Sequence, residues 1–162
     1  MISRKLGLLA FLTIAIISGS LADEAWVIRE EGAGPVKIGM SLSQLNAVLH
    51  EKFSIPDEEG LACFSVSLKR HPRISFMLLD ARLARIDVLG PGIFTAAGVQ
   101  VGDSEEHALQ VYGSELKVEP HKYMGPDGHY LTMRSRNNRY GIRFETDNSK
   151  IETFYAGRFD AP

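Results

Sequence analysis

The sequence predicts an α+β fold, with two tandem helix–three-strand repeats forming one antiparallel sheet with helices on one face. Three observations predict it. The step Val36-Lys37-Ile38-Gly39-Met40-Ser41 recurs as Val99-Gln100-Val101-Gly102-Asp103-Ser104. Each copy opens a short stretch with apolar residues at helical spacing. Each stretch is followed by segments in which apolar and polar residues alternate. Repetition on this scale marks a supersecondary unit used twice. Repeat one covers about residues 34–90 and repeat two about 97–158.

The first helix follows from its cap. Ser41 is an N-cap residue and Gln44 completes a capping box. Leu42, Leu45, Val48 and Leu49 then share one helical face. In the second copy Asp103 or Ser104 caps, and Glu105 and Glu106 fill the first turn, where the helix dipole favours negative charge. Ala108, Leu109, Val111 and Tyr112 make the buried face, and Gly113 ends the helix. Gly39 and Gly102 read as turn residues at the helix starts. Neither belongs to a phosphate-cradling loop, because no Lys-Ser/Thr follows.

The strands follow from period-two alternation. Ala62, Phe64, Val66 and Leu68 alternate with Cys63, Ser65 and Ser67, and His71-Pro72 breaks the run. Residues 74–79 and a stretch around Ala84, Ile86 and Val88 follow, joined by a turn at Asp80-Ala81. In the second copy residues 130–136, 140–145 and 151–156 are strands, with turns at Asn137-Asn138 and Asp147-Asn148-Ser149. The segment 119–128 reads as an inserted loop. Neither half covers its helix and its strands alone, so one shared two-layer domain is the expected solution.

The N-terminus carries a different signal. Arg4 and Lys5 precede an apolar run at residues 6–17, and Ser20 and Ala22 are the small residues of a cleavage site after Ala22. This is the pattern of a signal peptide, residues 1–22. The run is too short for a membrane helix, which needs roughly 20 apolar residues. The expectation is a periplasmic or secreted chain, residues 23–162, forming one domain with no membrane span after cleavage. The formal net charge is −2 and falls further without Arg4 and Lys5, which argues against a nucleic-acid binder. A single cysteine, Cys63, excludes an internal disulfide and Cys-rich zinc sites.

The stretch Ile38-Gly39-Met40-Ser41, a short helix and a β-meander used in tandem resemble the fold of the β-lactamase inhibitor protein. They also resemble the small exported lipoproteins of outer-membrane assembly, which carry one such unit. Gly34-Pro35-Val36, Val101-Gly102-Asp103-Ser104 and Tyr155-Ala156-Gly157-Arg158 are similar to stretches of small uncharacterised exported bacterial proteins. The resemblance implies protein binding at an exposed sheet face. It also implies a second cysteine near the C-terminus to pair with Cys63, and this sequence has none.

Few side chains suggest chemistry. Cys63 with His71 has the types of a thiol nucleophile and base, but nothing supplies an orienting group or oxyanion hole. His107, among Glu105 and Glu106, reads as part of a solvated helix face. His121 and His129 flank a loop with Asp127, which reads as a polar loop before a metal site. Asp57, Glu58 and Glu59 read as a solvated acidic loop rather than the paired carboxylates of a glycosidase. No cofactor or metal is expected.

The strongest charged feature is a hairpin with Arg134, Arg136, Arg139 and Arg143. Period two places Arg134 with Arg136, and Arg139 with Arg143, on the face opposite Met133 and Ile142. Tyr130 and Tyr123 offer aromatic anchors, and Lys122 lies near in sequence. The function expected is a non-enzymatic binding module of the bacterial cell envelope, an inhibitor or assembly factor, docking an acidic protein or an anionic envelope component. The alternative is a small periplasmic hydrolase using Cys63 or a carboxylate.

Overall fold

The structure, a computed structural model, describes residues 26–56 and 62–159. The signal-peptide segment and the acidic run Asp57-Glu58-Glu59 lie outside the described residues. The chain runs through β1 (Val27–Arg29), β2 (Gly32–Ala33), β3 (Val36–Lys37), α1 (Leu42–Leu49), β4 (Cys63–Leu68), β5 (His71–Leu79) and β6 (Arg82–Val88). It continues through β7 (Phe94–Thr95), α2 (Glu105–Tyr112), a 3₁₀ turn (Gly113–Glu115), β8 (Lys117–Pro120), β9 (His129–Arg134), β10 (Tyr140–Asp147) and β11 (Lys150–Arg158).

Two sheets form. The larger has seven strands in the order β4-β5-β6-β11-β10-β9-β8, and every pairing in it is antiparallel. The smaller has four strands in the order β3-β2-β1-β7, with β1 and β7 parallel. The last strand therefore inserts between β6 and β10.

This corrects the expected fold class. The chain is mostly β, with 47% of the described residues in strands and 15% in helices, and is not built of two helix–three-strand repeats in a single sheet. Segments around residues 27–37, expected only as an extended lead-in, form three strands of a separate sheet with β7. Residues 119 and 120, expected as the start of the inserted loop, end a fourth strand in the second half, Lys117–Pro120. Pro120 is tolerated there because β8 is an edge strand and needs no outward amide. The helices are only eight residues each. Helices that short do not stand alone in water, so tertiary packing must hold them.

That packing begins at the helix starts. Ser41 caps α1 in a full capping box, and its Oγ accepts from the Gln44 amide at 3.3 Å while Gln44 Oε1 accepts from the Ser41 amide at 2.9 Å. The Leu42 amide, which has no partner inside the helix, donates to the Ala81 carbonyl at 3.0 Å. The Gly39 amide donates to Leu83 O at 2.7 Å, and Leu83 N–H donates back to Met40 O at 2.8 Å. The second helix docks by the same set of bonds. Glu105 N–H donates to Ser149 O at 2.9 Å, Gly102 N–H to Ile151 O at 2.8 Å, and Ile151 N–H to Asp103 O at 2.9 Å. Each helix start is thus zipped to the tight turn of a β-hairpin.

Those turns need left-handed backbone. Asp80 and Ala81 have φ of 49° and 56°, and Asn148 and Ser149 have 46° and 62°. Two successive positive φ values are what a two-residue hairpin requires to match strand twist. Gly39 and Gly102 sit at φ 92° and 93°, where a side chain is strained.

The inner face of the large sheet carries Phe76, Leu78, Ile86, Phe144 and Phe154, all fully buried. Leu45 and Leu49 of α1, Ala108 of α2 and Ile28 of the small sheet close over it in one cluster. Trp26 packs its ring 6.0 Å from Phe76, and Tyr112 packs 5.7 Å from Phe144. Among the described residues no helix is long and apolar enough to cross a membrane.

Two opposite stability changes follow from the left-handed positions. Gly39→Ala is expected to lose about 1–2 kcal/mol through the backbone alone, since no atom lies within 4 Å of an added Cβ. Ala81→Gly is expected to gain roughly 0.5–1 kcal/mol, the relieved strain less the added unfolded-state entropy. Urea unfolding of both variants checks this, and a loss in Ala81→Gly would overturn it.

Candidate functional site

Among the described residues the helices and small sheet cover one face of the large sheet and leave the other open. Alternation on β9, β10, β11 and β6 directs Tyr130, Thr132, Arg134, Arg143, Tyr155 and Arg85 to the open side, while Met133 and Ile142 are buried on the inner side. Arg143 is central, lying directly opposite Thr132 on β9 and opposite Tyr155 on β11. Arg85 on β6 lies opposite Gly157. Beyond β11 the chain turns and lays Phe159 over this face. Gly141 makes room for it, because a Cβ there would stand 2.8 Å from the Phe159 ring.

Guanidinium groups and rings interleave. Arg85 lies 4.6 Å from the centre of the Tyr155 ring, and Arg134 lies 4.6 Å from that of Phe159. Arg143 lies 4.9 Å from Tyr130 and 5.3 Å from Phe159. Tyr155 and Phe159 stack at 5.8 Å. Each such cation–π contact contributes on the order of 0.5–2 kcal/mol, depending on desolvation. Arg143 Nε also donates to the buried Thr132 hydroxyl at 2.9 Å, which fixes its plane.

The charges on this face are unevenly matched. Arg85 pairs with Asp87 at 2.9 Å, although its buried Nε is not aligned for a hydrogen bond. Burial holds the Asp87 carboxyl above its ordinary value despite Arg85, so desolvation outweighs the pair. Stability from this group therefore falls as pH rises from the ordinary carboxylate range to the raised value. Arg134 and Arg143 make no ion pair among the described residues. Glu119 is held below its ordinary value first by its bond to Lys117, then by the charges of Lys117, Arg143 and Arg134. Two hollows open here, of about 240 Å³ between Met77, Tyr155, Phe159 and the arginines, and about 420 Å³ beside Lys117 and Glu119. Arg134 and Arg143 line both.

The structure brings together three of the five residues expected at the site: Tyr130, Arg134 and Arg143. It does not bring in Arg136 and Arg139. β9 ends at Arg134 and β10 begins at Tyr140, so both lie in the connecting turn. Asn137 Oδ1 organises that turn by accepting from the Arg139 amide and the Ser135 hydroxyl at 3.0 and 2.8 Å. Arg139 instead lies 5.7 Å from the ring of Tyr140. Lys122 sits 5.2 Å from the highly exposed Tyr123 ring in the neighbouring loop. Arg85, Tyr155 and Phe159 were not expected. The alternation of Arg85 and Asp87 signalled an outward-facing pair, but nothing local signals that β6 pairs with β11.

The candidate chemistries separate in space. Cys63 is exposed at the start of β4, whereas His71 pairs opposite Leu68 at its far end and packs on Trp26. Six strand residues span roughly 17–20 Å, so the two form no dyad. His121 Nδ1 accepts from the Tyr123 and Met124 amides at 3.1 and 3.0 Å, which assigns the ring proton to Nε2, 3.4 Å from Glu145. His129 Nδ1 lies 3.0 Å from Glu105 Oε2, which also accepts from Thr146, tying α2 to the sheet. No cluster fit to hold a metal ion occurs among the described residues.

No protein-family model matches the chain, and no curated protein matches it. Among solved structures it is similar to the crystal structure of the uncharacterized protein yfeY from Escherichia coli. That likeness has 15% sequence identity and a TM-score of 0.49, covering 82% of this chain and 99% of that one.

Burial pushes the Tyr155 phenol up against the lowering effect of Arg143 and Arg85, and burial likewise raises Tyr112. In an alkaline absorbance titration, Tyr155→Phe and Tyr112→Phe are each expected to remove a late-ionising component. Loss of an early component instead would show that the ring is not buried, Tyr155 on the open face or Tyr112 against Phe144.

Proposed function

We propose that this chain is an exported, non-enzymatic binding module of the bacterial cell envelope, an inhibitor or assembly factor. Its docking surface is the open face of the large sheet, and its partner is an acidic protein. The observation that supports this most is the pair Arg134 and Arg143. Both lie over aromatic rings, and neither has a carboxylate within 4 Å among the described residues, although both act on Glu119 from further off. A docking surface gains pre-set geometry and a field that speeds encounter with an acidic partner. Tyrosine and arginine are also the side chains that dominate interface energetics. The Cys63 form of the hydrolase alternative lacks its base, since Cys63 and His71 stand at opposite ends of β4.

Two measurements test this reading. Mass spectrometry of the protein from a periplasmic fraction is expected to find a chain beginning at Asp23, and an uncleaved N-terminus would overturn export by cleavage after Ala22. Affinity capture from the same fraction at low salt is expected to recover an acidic protein. Arg134→Glu with Arg143→Glu is expected to lose it, whereas Arg136→Glu with Arg139→Glu, with the same change in charge, retains most of it. Equal recovery by both double variants would overturn the docking face.

A further inference from the structure

We propose that Arg134 and Arg143 form a clamp for one carboxylate side chain of the partner, and that Met77 and Tyr155 seat the apolar residue next to it. The recognised element is thus a short acidic–apolar segment of a protein. This inference rests on the docking reading above and names the chemistry that the face selects.

The geometry carries it in three steps. First, both guanidinium groups lie over rings, Arg134 4.6 Å from the centre of Phe159 and Arg143 4.9 and 5.3 Å from those of Tyr130 and Phe159. Stacking engages the π face of a guanidinium and leaves its in-plane N–H donors for an oxyanion, the arrangement that suits bidentate carboxylate binding. Second, Arg143 is held by Thr132 at 2.9 Å, so part of the ordering cost of binding is met before the ligand arrives. Of the carboxylates nearby, Asp87 pairs with Arg85 and Glu119 with Lys117, each at 2.9 Å, Glu145 lies 3.4 Å from His121, and Glu115 lines the larger hollow. Third, the hollow of about 240 Å³ has room for side chains but not for a secondary-structure element, and its walls are mixed. Met77, Tyr155 and Phe159 contribute apolar surface to it, and Arg85, which lies opposite Met77 and over Tyr155, joins Arg134 and Arg143 in making the rest cationic. A lone carboxylate would leave the apolar surface wet. An adjacent apolar side chain would bury it.

The test uses the full chain and capped hexapeptides, followed through the NMR signals of the arginine Nε–H groups. The probes are Gly-Ser-Glu-Leu-Ser-Gly, its Glu→Gln form and its Leu→Ser form. The first is expected to shift the Arg134 and Arg143 signals and leave those of Arg136 and Arg139 in place. The Gln form is expected to bind at least tenfold more weakly, and the Ser form several-fold more weakly. Arg134→Gln and Arg143→Gln are each expected to weaken the first peptide about tenfold. Thr132→Val, which keeps every charge, is expected to weaken it several-fold by releasing Arg143. Thermal melting establishes that each variant is folded, and the peptide comparison in the unmodified chain stands even where a variant is not. Equal binding of the Glu and Gln peptides would overturn the clamp. So would inorganic phosphate producing the same shifts at the same concentration, since the site would then take any oxyanion. If the peptides fail while charge reversal at Arg134 and Arg143 still abolishes capture, the clamp falls and the docking face stands. If capture also survives charge reversal, both fall.

Discussion

The hydrogen-bonded union of each helix start with a hairpin turn is the constraint on which the rest depends. An α-helix begins with amides that have no partner in the helix. Here the first of them, Leu42 N–H and Glu105 N–H, are satisfied by carbonyls at the left-handed turns Asp80-Ala81 and Asn148-Ser149. The same turns set the twist of hairpins β5–β6 and β10–β11, which form the centre of the large sheet. One local arrangement thus sets the twist of the sheet and places both short helices on the same side of it. Capping alone contributes about 1 kcal/mol, whereas burial of a leucine such as Leu45 contributes on the order of 2–5 kcal/mol. The union therefore supplies direction, and the core supplies most of the stability.

Directing both helices to one face makes the two faces of the sheet chemically different. On the inner side Phe76, Phe144 and Phe154 are enclosed. On the outer side the same strands must present residues tolerated by water, and this chain presents arginines laid on tyrosine and phenylalanine rings. An antiparallel sheet accepts one solvated face without loss of integrity. The stacked groups are nonetheless more ordered than solvated arginines need to be. Phe159 is central to that order, since its ring meets two guanidinium groups and one tyrosine at once. Gly141 beneath it is the space that lets the chain fold back over the sheet.

Much of this was legible locally. The capping box at Ser41 and Gln44, the glycines before each helix and the inward set Met133, Ile142 and Phe144 all follow from short-range pattern, and all are present. The fold class was not legible. β8 shows weak alternation and ends in Pro120, and β1 to β3 are two or three residues each, too short for a periodic signal. Their strand character comes from the neighbours they pair with, and β propensity is known to yield to such context. The site divides in the same way. Arg134, Arg143 and Tyr130 were visible on one hairpin. Arg136 and Arg139 were misplaced because alternation was extended past Arg134 into a turn held by Asn137.

The sequence by itself determined the local elements in outline: the caps of both helices, the middle of each long strand and most of the inward side chains, although Val111, read onto the buried face of α2, is exposed and β5 begins at His71, three residues before the strand read from residue 74. These depend on interactions within a few residues, which a pattern of period two or 3.6 encodes. The tertiary structure alone decided that β11 lies between β6 and β10, that a second small sheet exists, and that Arg85, Tyr155 and Phe159 join Arg134 and Arg143. The physical reason is that strand order is chosen by hydrogen bonding and packing between segments far apart in the chain. No local pattern carries that information, so the composition of the open face emerges only when the sheet closes.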